Sequence, residues 1–221
     1  MTEPVATEPI AVVPNRPRLR GVLHQYAFAA FVALGVVLIA TASGGVEQTA
    51  AAVFGASVAV AFGISALYHR VTWTPARREV MRRLDHAGIF LLIAGTYTPF
   101  GLLVFNGAWR YSVLGVVWGG ALAAVAQRLI WRRGPKWATA LIAVALGWVG
   151  VVALPQIIDA TGWTGAALLL AGGLLYTLGA LVYALRRPDP RPRVFGYHEV
   201  FHALTIAAAA SQYAAVTLLV V

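Results

Sequence analysis

The feature that most constrains this sequence is a series of long apolar stretches, separated by short segments that carry most of the charged residues. Each stretch holds about 20 residues, enough for an α-helix to cross the roughly 30 Å hydrocarbon core of a bilayer. The chain is 60% hydrophobic and 11% charged, whereas a soluble domain is about half apolar and a quarter charged. We therefore predict an all-α integral membrane protein, a seven-transmembrane-helix bundle with spans at residues 24–43, 49–68, 84–105, 112–131, 137–154, 164–185 and 198–220.

The first 20 residues differ from the rest of the chain. They are polar and contain four prolines, a composition typical of a disordered tail. The predicted organisation is a disordered cytoplasmic tail at 1–20 and one seven-helix transmembrane domain at 21–221.

The basic residues are distributed unevenly between the two sides of the predicted bundle. The net charge is +9, and all but one of the 17 lysines and arginines, Arg110, lie in the tail or around the second, fourth and sixth connections. The positive-inside rule then places the N-terminus in the cytoplasm and the C-terminus outside a cell membrane. Anionic headgroups account for these charges without nucleic acid as a partner. Since the chain has no cysteine, it has neither disulfides nor thiolate chemistry.

The start of the last span carries two histidines, His198 and His202, four residues apart. On a helix, residues at this spacing share one face, with their Cβ atoms about 5–6 Å apart. One divalent metal can then bind a nitrogen of each ring. A polar pair at the mouth of a membrane span is more often functional than incidental.

The predicted topology brings further polar residues to the same side of the membrane. All five histidines lie near the cytoplasmic surface, and Ser65 lies one helical turn deeper than His69 on the second span. Three imidazoles leave one zinc position open for a water, which can then ionise near pH 7. A nearby carboxylate can take that proton, and a serine hydroxyl can orient an oxyanion. The candidate zinc site comprises Ser65, His69, Asp85, His198 and His202.

Other interpretations of these residues stay open at this point. Asp85 could instead pair with Arg82 or Arg83 at the helix mouth. Ser65 could hydrogen-bond a carbonyl of its own helix. We interpret His24 and His86 as contacts to lipid headgroups.

The segment from His198 to His202 also matches H-E-x-x-H, the zinc metalloprotease motif, in which Glu199 would be the general base. No His, Asp or Glu follows His202, so a third ligand would come from upstream, either His69 or Asp85. An intramembrane protease is therefore an alternative.

Three motifs resemble a known family. They are Ser65-x3-His69, the run from Asp85 to Pro99 that reads D-H-x-x-I-x-x-L-I-A-G-T-Y-T-P, and His198-x3-His202. Together they are similar to the hemolysin III branch of the progestin and adiponectin receptor superfamily, which is related to alkaline ceramidases. The resemblance implies that His69, His198 and His202 bind zinc, with Asp85 and Ser65 close to the water on the metal.

One departure from that family concerns the entry to the first span. Members often carry Glu-x-x-Asn-x3-His there, whereas this chain retains His24 but has Pro17 and Arg20 in the other two positions.

The resemblance and the site together predict a zinc-dependent hydrolase of a lipid amide or ester bond at the cytoplasmic leaflet, with Asp85 and Ser65 as catalytic residues. Membrane lipids are the expected substrate or ligand. The alternatives are a receptor or sensor, a regulator of membrane homeostasis, or a pore-forming cytolysin. A pore is disfavoured because the fourth to sixth spans carry few polar residues.

Overall fold

The computed structural model describes residues 17–130 and 136–221, and in this part of the chain the ordered elements are helices, with no β-strand. The α-helices are α1 Val22–Thr41, α2 Gly45–Arg70, α3 Pro75–Leu103, α4 Gly107–Ile130, α5 Lys136–Trp148, α6 Leu154–Leu185 and α7 Tyr197–Val220, with a short 3₁₀ helix at Val149–Ala153. The predicted all-α membrane class is confirmed. Residues 1–16 of the predicted tail lie outside the described residues.

The described residues contain six helical stretches long and apolar enough to cross a membrane, rather than the seven predicted. The difference arises at residues 137–185, where two separate helices were predicted. The intervening segment, residues 155–163, is itself helical, so α5, the 3₁₀ helix and α6 join into one stretch, Thr139–Leu185, of 47 residues.

That joined stretch is not straight. The Trp148 indole N–H donates to the Thr177 hydroxyl across 3.0 Å, although a straight helix would separate these residues by about 44 Å. Gly162 interrupts the helical dihedral angles inside α6 with φ of 64°, a left-handed conformation that glycine adopts without strain. The chain therefore doubles back between Trp148 and Thr177.

The first and last helices run parallel. At one end, the amides of Arg18 and Leu19 donate to the carbonyls of Arg193 and Val194, just before α7. At the other end, the Ser43 amide, just after α1, donates to the Val220 carbonyl. The start of α1 and the end of α7 therefore lie at opposite ends of the bundle. We call the end where α1 and α7 begin the arginine-rich end.

Small residues allow the neighbouring helices α1 and α2 to approach closely. A Cβ on Gly35 would lie 3.5 Å from the Cα of Gly55, the close contact that small residues permit between membrane helices. The buried rings of Phe54, Phe62 and Phe90 belong to the hydrophobic core that packs these helices together. This packing fixes α2 and α3, which carry three of the predicted site residues.

Candidate metal centre

The histidines of α2 and α7 meet at the arginine-rich end of the bundle. His198 and His202 occupy successive turns of α7, and His69 lies in the last turn of α2. One ring nitrogen from each of the three lies within 4.8 Å of the others. Helix geometry brings the first two together, and the packing of α2 beside α7 supplies the third.

The spacing of two of the donor atoms is compatible with a zinc ion. Two nitrogens bound to one tetrahedral zinc at 2.0–2.1 Å lie about 3.3 Å apart, and the Nε2 atoms of His69 and His198 are 3.1 Å apart. Nδ1 of His202 is buried and has no hydrogen-bond partner among the described residues. Buried nitrogen atoms are rarely left without a partner. The three side chains could therefore hold a metal ion.

Asp85 lies beside this cluster. Its Oδ2 atom is 3.9 Å from Nε2 of His69, and its carboxylate also lies close to Ser65. Arg82 and Arg83, the alternative partners considered for Asp85, both pair with Glu79. The carboxylate therefore stands next to the nitrogen atoms that would bind the metal.

His24 belongs to the cluster, and its interpretation as a headgroup contact is wrong. The residue is only 5% exposed, and its ring stacks on that of His202 with centroids 3.7 Å apart. Its Nδ1 lies 2.8 Å from the Ser65 hydroxyl and its Nε2 lies 3.1 Å from the Thr205 hydroxyl. The parallel packing of α1 and α7 carries the ring inward, away from the headgroups.

The hydrogen-bond directions around His24 follow from the donor count. The Thr205 hydroxyl donates to the His202 carbonyl, so it can only accept from His24 Nε2–H. The other nitrogen of a neutral ring is then an acceptor, and the Ser65 hydroxyl donates to it. Ser65 therefore bonds a neighbouring helix rather than a carbonyl of its own helix.

Glu199, the glutamate of the H-E-x-x-H motif, is completely buried. Its Oε1 accepts from Arg20 Nε at 2.5 Å, and its Oε2 accepts from the Gly196 amide at 2.8 Å. The second contact caps the start of α7. Arg20, the departure from the family pattern, thus anchors the segment before α1 to the helix that carries two of the histidines.

Gly21 allows that anchored segment to pass close to His69. Its φ is 78°, and a Cβ at this position would lie 2.5 Å from the Cβ of His69. Sequence reasoning missed Gly21, His24 and Thr205. For His24, the sequence did contain a signal, because all five histidines lie at one end of the predicted bundle.

His86 is half-buried on α3. Its Nδ1 lies 2.6 Å from the Arg82 carbonyl, one turn earlier on the same helix. It is not one of the three histidines whose nitrogens form the candidate metal site.

An internal cavity of about 350 Å³ opens from the cluster. His69, Asp85 and His198 line one end, and Phe105 and Ile157 line the other. From Asp85 to Phe100, the lining residues on α3 extend about 22 Å along the helix axis, which is most of the thickness of a hydrocarbon core. Most of the wall is apolar, so the cavity suits a hydrocarbon chain.

Comparison with known proteins identifies the family of this chain. The family model described as "Haemolysin-III related" matches residues 13–213. The chain is 34% identical to Hemolysin-3 of Bacillus cereus over 131 residues, which cover 59% of each protein and thus less than two thirds of that relative. It is 26% identical to the Hemolysin-3 homolog of Bacillus subtilis (strain 168), over 73% of this chain and 72% of the relative.

A eukaryotic protein is also similar. The Adiponectin receptor protein of Drosophila melanogaster is 29% identical over 86% of this chain and 47% of its own length. These matches confirm the family resemblance that the motifs predicted. This chain is a multi-pass membrane protein and a member of the haemolysin-III related family.

Proposed function

We propose that the protein is a zinc-dependent hydrolase that cleaves an amide or ester bond of a membrane lipid at the cytoplasmic leaflet. One observation carries this proposal: a cluster of three histidine nitrogens, flanked by a carboxylate, opens into an apolar cavity. A lipid chain in that cavity would place its head-proximal acyl bond beside the cluster.

His69, His198 and His202 would hold the zinc. The chemistry that bound zinc supplies is polarisation of an acyl carbonyl and acidification of a water. Asp85, beside His69, would accept the proton of the attacking water and return it to the leaving nitrogen or oxygen. Asp85 lies next to the three proposed zinc ligands but is not itself one of them, which suits a general base.

Ser65 is proposed to donate to the oxyanion that forms on the former carbonyl oxygen when water attacks the acyl carbon. In the resting arrangement its proton is directed to Nδ1 of His24. The oxyanion role would require the hydroxyl to turn from His24 toward the substrate. The stacking of His24 on His202 holds both partners next to the metal ligands.

The contacts of Glu199 favour lipid hydrolysis over proteolysis. A metalloprotease base needs a carboxylate oxygen facing the metal. Both oxygens of Glu199 already accept hydrogen bonds, from Arg20 and from the Gly196 amide. A capping and anchoring role accounts for this residue.

We also propose seven membrane crossings, with the N-terminus in the cytoplasm of a cell membrane. Parallel packing of α1 and α7 requires an odd number of crossings from the first helix to the last. The reversal between Trp148 and Thr177 lets the joined stretch supply two of them. The positive-inside rule then places the arginine-rich end in the cytoplasm.

The mechanism is tested by comparing Asp85→Ala with Glu199→Gln, using long-chain N-acyl lipids and a peptide as substrates. Asp85→Ala should retain zinc and lose about 10²–10⁴-fold in turnover, the usual contribution of general-base catalysis. Glu199→Gln keeps an acceptor for the Gly196 amide and should retain lipid turnover. Undiminished lipid cleavage by Asp85→Ala would contradict the mechanism.

The same experiment separates the alternatives. A protease would cleave the peptide and depend on Glu199. A receptor or sensor would bind lipid without forming product, in the wild-type protein as in each variant. Either result would reject lipid hydrolysis.

A further inference from the structure

Two polar groups in the wall of the internal cavity have no role in the chemistry proposed above. The hydroxyl of Tyr176 and the Oε1 atom of Gln212 are buried, and neither has a hydrogen-bond partner among the described residues. Both residues line the cavity. Inside hydrocarbon no bulk water compensates such atoms, so leaving them without partners is unfavourable.

The orientation of the Gln212 amide is fixed by a second contact. Its Nε2 donates to the Leu169 carbonyl across 3.3 Å, which assigns the unpartnered atom as the oxygen. Gln212 itself is only 5% exposed. This wall of the cavity therefore presents a fixed hydrogen-bond acceptor.

Tyr176 lies one turn of α6 from the residue that the Gln212 amide contacts. The Gln212 amide packs against Gly172, where a Cβ would approach its Nε2 to within 2.4 Å. Tyr176 follows Gly172 by four residues and therefore lies on the same face of α6, one turn away. One small group in the cavity could contact both side chains.

The hydrogen-bonding properties of Tyr176 and Gln212 determine which ligand group would fit between them. The Gln212 oxygen can only accept, whereas the Tyr176 hydroxyl can donate and accept. A ligand hydroxyl satisfies both, because it donates to Gln212 while it accepts from Tyr176. A carbonyl would satisfy Tyr176 alone, and a saturated chain would satisfy neither.

We propose that the internal cavity binds an amphiphile whose hydrocarbon chain carries a hydroxyl group, held between Tyr176 and Gln212. Gln212 lies ten residues after His202 on α7, about 15 Å along the helix axis. The recognised hydroxyl therefore lies well inside the chain, away from the head. This inference rests on the proposed function, and it names hydroxylated acyl chains as the substrate class.

The test is a binding measurement that does not depend on turnover. A fluorescent fatty acid bound to the full-length protein in detergent micelles is displaced by 12-hydroxystearate, 3-hydroxystearate or stearate. We expect 12-hydroxystearate to bind about tenfold more tightly than stearate, the effect of one or two net hydrogen bonds. We expect 3-hydroxystearate to bind like stearate.

Two variants test whether Tyr176 and Gln212 cause the preference for 12-hydroxystearate over stearate. Tyr176→Phe and Gln212→Met should remove the preference for 12-hydroxystearate and leave the affinity for stearate within twofold. Tyr176→Phe deletes an unpartnered hydroxyl, so its melting temperature should not fall. The matched control is Tyr213→Phe, whose lost hydroxyl bonds the Leu34 carbonyl and which should keep the preference.

Equal binding of stearate and 12-hydroxystearate to the wild-type protein would overturn the proposal, because it would mean that water alone occupies the pair. Preference for 3-hydroxystearate, or a preference that survives both variants, would overturn it as well. Absence of lipid cleavage would reject the hydrolase and leave this binding result unaffected.

Discussion

Replacing Arg20 by Met should destabilise the protein far more than loss of a surface charge, because its partner cannot return to water. Glu199 is completely buried, whereas the Arg20 side chain is 20% exposed. Removing one partner of a buried ion pair leaves an uncompensated charge and costs about 3–5 kcal/mol. Neutralising the other partner of the pair, with Glu199→Gln, leaves a guanidinium that water can reach and should cost about 1 kcal/mol.

The double variant distinguishes this electrostatic effect from general disruption. Arg20→Met with Glu199→Gln buries no charge and keeps the cap on the Gly196 amide. The double variant should be more stable than Arg20→Met alone by at least about 2 kcal/mol, since the effects of substituting two contacting residues are not additive. The assay is equilibrium unfolding in detergent after metal removal.

A matched control comes from the same segment. Arg18 is exposed, and its amide rather than its side chain contacts Arg193. Arg18→Met should therefore change stability by less than about 0.5 kcal/mol. The reasoning is refuted if Arg20→Met matches Arg18→Met, or if the double variant is no more stable than Arg20→Met.

Three further perturbations test the site and the topology. His69→Ala should lose bound zinc and thermal stability while His86→Ala keeps both, as metal analysis and melting curves will show; the opposite pattern would reject the ligand set. Gly21→Ala should lower stability by more than about 1 kcal/mol and weaken zinc binding, because of its positive φ and its contact with His69. A cysteine at position 190 should be labelled only from the cytoplasm, and one at position 106 only from outside; an even number of crossings would break this pattern.

Much of the site could be predicted because its signals are local or compositional. The pairing of His198 with His202 follows from helical periodicity, and the common side of His69 and Asp85 follows from the distribution of charge. Span boundaries agree within a few residues where a polar connection follows, as at Thr41 for α1. They differ at residues 155–163, where the predicted connection is itself helical.

The environment of His24 could not be read from the sequence, because its partners are remote along the chain. Ser65 is 41 residues away, and Thr205 is 181 residues away. Arg20 and Glu199, 179 residues apart, meet only because α1 and α7 run parallel. The role of Arg20, which departs from the family pattern, therefore follows only from a contact between the two ends of the chain.

The sequence by itself determined the membrane class, the end of the bundle at which the polar candidate residues lie, and the spacing of two candidate metal ligands. Each of these depends on hydropathy, charge or the period of one helix. The tertiary structure decided that His24 stacks on His202, that Glu199 anchors α7, and that a cavity leads to Tyr176 and Gln212. These features depend on which helices pack together and in which direction, a choice made by the shapes of distant side chains rather than by any local pattern.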